Sequence, residues 1–237
     1  MPDIAMVAAL EREVWPLVKG WRTSDREYSG RQFRFFENEN CVLVCGGVGS
    51  EAARRATEAV ITLYQPAAVW SVGFAGALED RLRVGELLDL RYVVDVGDGS
   101  KVDTGSGSGV LVSFQSVAGE EQKSRLAKAY GAEAVDMEAA SVAKGAQAHG
   151  LPFGAVKVIS DEAGFPMPAI EPFMGRDGGF RTASFGLYAA MRPWLWGTVI
   201  RLARNSAKAS RALCEHLKGS HNASGERVLR VPQAPEK

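Results

Sequence analysis

Cysteine and histidine are scarce in this chain. Three cysteines, Cys41, Cys45 and Cys214, occur among 237 residues. So small and odd a number excludes a disulfide scaffold and fits a reducing compartment. Cys41 and Cys45 fall on one face of an apolar run and read as small buried hydrophobes. There is no Cys-x-x-Cys, and His149, His216 and His221 have no metal-ligand spacing, so no metal site is expected. Net charge is also missing: 28 basic residues balance 28 acidic ones. A neutral chain is not built to track a phosphate backbone, which argues against nucleic acid as a partner. No apolar run approaches the roughly 20 residues that span a bilayer. No basic segment followed by an apolar one opens the chain, so a cytoplasmic protein is expected. The Asn222-Ala223-Ser224 sequon would matter only in a secreted protein.

What is present is ordinary globular material, 46% apolar, enough for one large domain or two small ones. Two stretches stand out. In Ala134-Val135-Asp136-Met137-Glu138-Ala139-Ala140, Glu138 opens a small-residue helix that runs to about His149 and ends at Gly150. In Val158-Ile159-Ser160-Asp161, Asp161 follows an apolar run, 153–159, that reads as a buried parallel strand. Ligands of open α/β sheets sit beyond the carboxyl ends of the strands, where Asp161 falls. Two acids could thus face one crevice. Read singly, each has a plainer explanation. Glu138 would be a first-turn acid favoured by the helix dipole, and Asp161 a solvated loop residue or a cap.

Together the two segments resemble the nucleoside phosphorylase and nucleosidase superfamily, which includes purine nucleoside phosphorylases, uridine phosphorylase and methylthioadenosine/S-adenosylhomocysteine nucleosidase. Further stretches carry the resemblance. Ala8-Ala9-Leu10-Glu11-Arg12-Glu13-Val14 looks like the opening of the nucleosidase branch. By that likeness Glu13 polarises the nucleophile, although first-turn acids are common. Val72-Gly73-Phe74-Ala75-Gly76-Ala77-Leu78 resembles the family's glycine-rich turn at the nucleophile pocket. It departs by carrying Phe74 where the nucleosidases usually have a small hydroxyl residue. The likeness implies an α/β fold: a single domain with a central mixed twisted sheet flanked by helices, over 1–180. A C-terminal helical extension (181–218) and a disordered tail (219–237) follow.

Taken in order, residues 4–9 read as a strand, 31–37 and 41–45 as two more, and 51–64 as an amphipathic helix. Between the last two lies Gly46-Gly47-Val48-Gly49-Ser50. Its amides, Gly47 and Gly49 included, could meet an anion at the helix start. The same glycines loosely fit a dinucleotide fingerprint, but the next strand, 67–72, does not end in the required acid. Residues 86–94 and 110–117 read as strands, joined by a short polar link, 95–109, where the nucleosidases have a longer cover. A more open pocket at the ribose 5′ side follows. Residues 119–130 read as a helix. Lys157 stands inside the last strand where the nucleosidases usually carry arginine. It could serve an anion as a point charge or pair within the fold. Residues 162–179 read as a long loop, 180–191 and 193–218 as helices. The final run resembles the C-terminal part of the hopanoid-associated phosphorylases, a branch linked to adenosylhopane. Its tryptophans and basic face could lie on an anionic membrane or pack on the sheet.

The resemblance implies cleavage of the N-glycosidic bond of an adenine-type nucleoside, by phosphorolysis or hydrolysis. Asp161 would be the acid, Glu138 the ribose binder and Glu13 the nucleophile's partner. Met137, Gly73, Phe74, Val117, Ala118 and Ser160 would contact substrate. Gly47, Gly49 and Lys157 would serve a phosphate or nucleophile. No cofactor is implied, beyond inorganic phosphate as a co-substrate. A homo-oligomer is expected. The rival readings are a non-catalytic nucleoside-binding module and, behind it, a dinucleotide-dependent oxidoreductase.

Overall fold

The computed structural model describes residues 2–175 and 178–222. Ten strands form one mixed sheet: β1 (Ile4–Ala8), β2 (Arg22–Tyr28), β3 (Arg31–Glu37), β4 (Cys41–Cys45), β5 (Ala68–Ala77), β6 (Leu90–Asp95), β7 (Lys101–Asp103), β8 (Gly109–Ser113), β9 (Ala134–Asp136) and β10 (Phe153–Asp161). Six helices flank it: α1 (Glu11–Val18), α2 (Ser50–Tyr64), α3 (Glu120–Tyr130), α4 (Ala139–Ala148), α5 (Thr182–Ala190) and α6 (Trp196–Asn222). The strand order is β2-β3-β4-β1-β5-β9-β8-β6-β7, with β10 also paired to β5. β1, β4 and β10 run parallel to their neighbours around β5, so the carboxyl ends of β1, β5 and β10 share one edge. β9 crosses the end of β5 antiparallel at Gly76 and Ala77.

The period-2 pattern of β1 sends its residues to two cores. Ala5 and Val7 face α2 and α4; Ile4, Met6 and Ala8 face α1 and α6. α4 is built of small residues because it lies close to α2. A Cβ on Gly145 would sit 2.6 Å from Thr57 Cγ2. On the other face, Ala209, Leu213 and Leu217 of α6 are buried with Val14 of α1 and Val156 and Val158 of β10.

Several boundaries differ from the sequence reading. β5 continues through 73–77, so the glycine-rich stretch is strand rather than turn. Pairing with β10 on one side and β9 at its end supplies the partners that glycine's propensity alone withholds. β2 was not foreseen: it is a polar, mostly exposed edge strand that follows β3 by antiparallel pairing. The 95–109 link contains β7, hydrogen-bonded to β6. β8 stops at Ser113, short of Val117. Residues 134–136, ahead of the helix that Glu138 opens, form a short strand. α5 begins at Thr182 and α6 runs on to Asn222. The tail expected to be disordered lies, from 223 on, outside the described residues.

Candidate active site

A cavity of about 720 Å³ opens at the shared strand edge, within the range of small-molecule sites. Four carboxylates line it: Glu13 from the first turn of α1, Asp136 and Glu138 from the β9–α4 junction, and Asp161 from the last position of β10. Met137, Phe74, Val117, Ala118 and Ser160 line it too. The opposite wall is largely apolar, with Met167, Ile170 and Met174 from the 162–179 loop and a long face of α6 that also brings Ser206, Ser210 and Arg211.

Glu13 is buried, at 6% exposure, and accepts the Phe74 amide. Its carboxylate occupies the space a side chain at 73 would need. A Cβ there would come within 2.6 Å of Glu13 Oε2, at φ +149°. Gly73 therefore acts by making room rather than by lining the cavity. Burial, with the Glu138 charge added, pushes the Glu13 carboxyl up to about 8; Lys157, Arg12 and the Phe74 amide pull the other way. Glu138 sits at the N-cap of α4. Its Oε1 accepts Gly49 N–H at 2.7 Å, and its Oε2 accepts Met137 N–H at 3.2 Å. Burial and the neighbouring Asp136 raise it to about 7, against Lys157 and these two amides.

Asp136 is fully engaged. Oδ1 accepts Ser113 Oγ at 2.5 Å; Oδ2 accepts Ala139 N–H and Lys157 Nζ, both at 2.9 Å. Burial works against the Lys157 cation, but Asp136, Glu138 and Glu13 outweigh it and hold the ammonium above its usual value. Asp161 is held from both sides: Lys123 Nζ reaches Oδ2 at 2.5 Å and Ser160 Oγ donates to Oδ1 at 2.7 Å. Lys123 also donates to the Glu162 carbonyl at 2.9 Å.

The cavity wall thus gathers Glu13, Glu138, Asp161, Met137, Phe74, Val117, Ala118 and Ser160. It does not include Gly47, Gly49, Gly73 or Lys157. The glycine turn's amides are already spent: Gly47 on Ala9 O, Val48 on Gly178 O, Gly49 on Glu138. Lys157 is spent on Asp136, the within-fold pairing that was its other reading. Val117 N–H donates to Glu171 Oε1 at 3.2 Å. Sequence reasoning missed Lys123, Asp136 and the α6 wall. Lys123 carried a signal: it stands three and four residues before Leu126 and Ala127, on the apolar stripe of α3. Among the described residues no group of three His, Cys, Asp or Glu could hold a metal ion.

The model of the phosphorylase superfamily matches residues 3–115 and 106–176, most of the chain and every acid of the cavity. The chain belongs to the phosphorylase superfamily. It is an enzyme of the nucleoside phosphorylase and nucleosidase group within it. A 5'-methylthioadenosine/S-adenosylhomocysteine nucleosidase of Staphylococcus aureus is 26% identical over 198 residues, covering 68% of this chain and 86% of that protein. Among solved structures, the Arabidopsis thaliana 5'-methylthioadenosine nucleosidase superposes with a TM-score of 0.71 at 18% identity, over 95% of this chain and 98% of that one. The Helicobacter pylori futalosine hydrolase does so at 0.64 and 19%, over 92% and 98%. This superfamily member shares the fold of both.

The raised acids make its stability depend on pH. Glu13 and Glu138 bind protons in the folded chain that they release near 4.5 when unfolded. Between about 4.5 and 8 the folded state holds more protons, so stability falls as pH rises through that window. Thermal melting should show a midpoint that drops from about pH 5 to about pH 8. Glu13→Gln should flatten the slope; an unchanged slope would mean that Glu13 is not protonated in the folded state.

Proposed function

We propose that this enzyme hydrolyses the N-glycosidic bond of an adenine nucleoside carrying an apolar 5′ extension. The observation that carries the reading is the convergence of Glu13, Glu138 and Asp161 on one cavity whose far wall is largely apolar. As the C1′–N9 bond breaks, the base needs a proton and the sugar becomes cationic. Asp161 lies against the purine and passes it the proton, with Lys123 the hydrogen-bonded donor behind it. Glu138, positioned by the Gly49 and Met137 amides, holds ribose hydroxyls and steadies the developing positive charge. Glu13, raised to about 8, is a base matched to neutral pH and takes the proton from the attacking water. Met137 packs on the sugar. No cofactor enters.

Water rather than phosphate is favoured by the charge at the nucleophile's end. Lys157 is engaged by Asp136, and the turn amides by protein acceptors. The anion-holding groups expected at that end are thus taken within the fold, and the acids Glu13 and Glu138 line it instead. The named relatives include nucleosidases and a hydrolase, in keeping with this choice. The 5′ extension is supported by α6. Val199, Leu202, Ala203, Ser206, Ala207 and Ser210 line the cavity at helical spacing, a wall about 17 Å long at the usual rise. An adenosylhopane-type 5′-alkyl adenosine would use that wall; adenosine would not. Turnover in ¹⁸O-labelled water tests the reading. Label in the ribose C1′ hydroxyl is expected, with no need for phosphate. Formation of ribose 1-phosphate would overturn hydrolysis. Tight binding without turnover would leave a nucleoside-binding module.

A further inference from the structure

The corner between α5 and α6 carries an exposed apolar patch with no covering element among the described residues. Leu187 and Met191, one turn apart at the end of α5, meet Trp194 in the short 3₁₀ turn (Pro193–Leu195) and Trp196 and Ile200, one turn apart at the start of α6. Their exposures run from 52% for Trp196 to 75% for Trp194. The corner is held as a unit: Trp196 Nε1 donates to Ala189 O at 3.0 Å and Leu195 N–H to Arg192 O at 2.9 Å. Solitary exposed hydrophobes need no explanation, but five at one corner do.

The segment that carries the patch has charge of one sign. Residues 178–214 contain no Asp or Glu, and six basic residues: Arg181, Arg192, Arg201, Arg204, Lys208 and Arg211. None of them pairs with a carboxylate among the described residues. Arg192 lies over the Tyr188 ring at 3.9 Å and Arg201 over Phe165 at 4.9 Å, so both keep their charge unneutralised by an acid. A second copy seated face to face would bring arginine against arginine, since a two-fold interface is self-complementary. An anionic lipid surface offers what the patch wants. Acyl chains take Leu, Met and Ile, the interface takes tryptophan, and headgroups take arginine. We propose that the α5–α6 corner docks this enzyme on an anionic bilayer. The helices that carry it also wall the cavity, through Phe185 and Val199. Docking therefore sets the cavity beside the lipid. No helix among the described residues is long and apolar enough to cross a membrane, so the contact is peripheral.

The test is flotation of the full chain with vesicles of phosphatidylcholine alone and with added phosphatidylglycerol. It is independent of whether the proposed reaction is right. Binding is expected only with the anionic lipid, weakening as salt rises. Met191→Glu/Trp194→Glu should weaken it at least about tenfold, and Arg201→Gln/Arg204→Gln should lower it on anionic vesicles. Glycerol phosphate should not compete, which separates a lipid surface from a free phosphate site. Neither Met191 nor Trp194 lines the cavity, so turnover of a soluble nucleoside should be unchanged in that pair. Failure of the full chain to float with anionic vesicles would overturn the proposal, as would equal flotation of the Met191/Trp194 variant. So would a dimer in sedimentation velocity that this variant splits, which would assign the corner to a second copy.

Discussion

Asp161→Asn should lower adenine release by about 10²–10⁴-fold, the usual contribution of one positioned proton-transfer group. The same substitution should also destabilise the fold. The carboxamide that replaces the carboxylate could still accept from Ser160, but its nitrogen would oppose the Lys123 ammonium, itself a donor. Lys123, 2% exposed, would keep only the Glu162 carbonyl. Breaking a buried pair by removing one partner typically costs about 3–5 kcal/mol. The two effects can be parted. Asp161→Asn/Lys123→Met removes the stranded cation and should recover most of the melting temperature, yet none of the rate. If the single variant keeps most of its rate, Asp161 is only the structural partner of Lys123. If the double variant recovers rate together with stability, the loss came from misfolding rather than chemistry.

Lys157→Met should be the most destabilising single change in the sheet. Lys157 is among the largest fully buried side chains. Its cation is the counter-charge to Asp136 and acts on Glu138 and Glu13 as well. Its loss leaves Asp136 buried and unpaired, again about 3–5 kcal/mol. For a chain this long that is roughly a 10 °C fall in melting temperature. Lys157→Met/Asp136→Asn should restore much of it, because the carboxamide oxygen can still accept from Ala139 N–H while the buried charge is gone. Calorimetry of the pair decides. A small loss in the single variant would mean that water reaches Asp136 and that the cluster is not dry. That would also undercut the raised Glu13 and Glu138, whose main cause is burial.

The parts of this protein written in local pattern were legible in sequence. β1, β3, β4 and α2 follow from apolar periodicity. The order of acids Glu13, Glu138 and Asp161 follows from the family-like stretches. What the sequence hid depends on distant partners. Arg22–Tyr28 looks like polar loop, and is a strand only because β3 offers it seven paired positions. Gly73–Ala77 looks like a turn, and is strand because β10 and β9 pair with it. Gly49 looked like an anion binder, and Lys157 like either an anion binder or a partner within the fold. Each satisfies an acid of this same chain: Glu138 is 89 residues from Gly49, and Asp136 is across the sheet from Lys157. Lys123 stood in a helix crowded with acids and bases, where its one signal was its place on the apolar stripe with Leu126 and Ala127. The α6 wall was the hardest to foresee, since small residues at helical spacing serve a core or a cavity equally well.

The central claim is met most directly by chromatography of free adenine. The full chain would be incubated with adenosine, methylthioadenosine and a 5′-alkyl adenosine, without phosphate and then with it. The account predicts adenine in the absence of phosphate, fastest from the 5′-alkyl substrate. No adenine from any of the three, with phosphate or without, would contradict it.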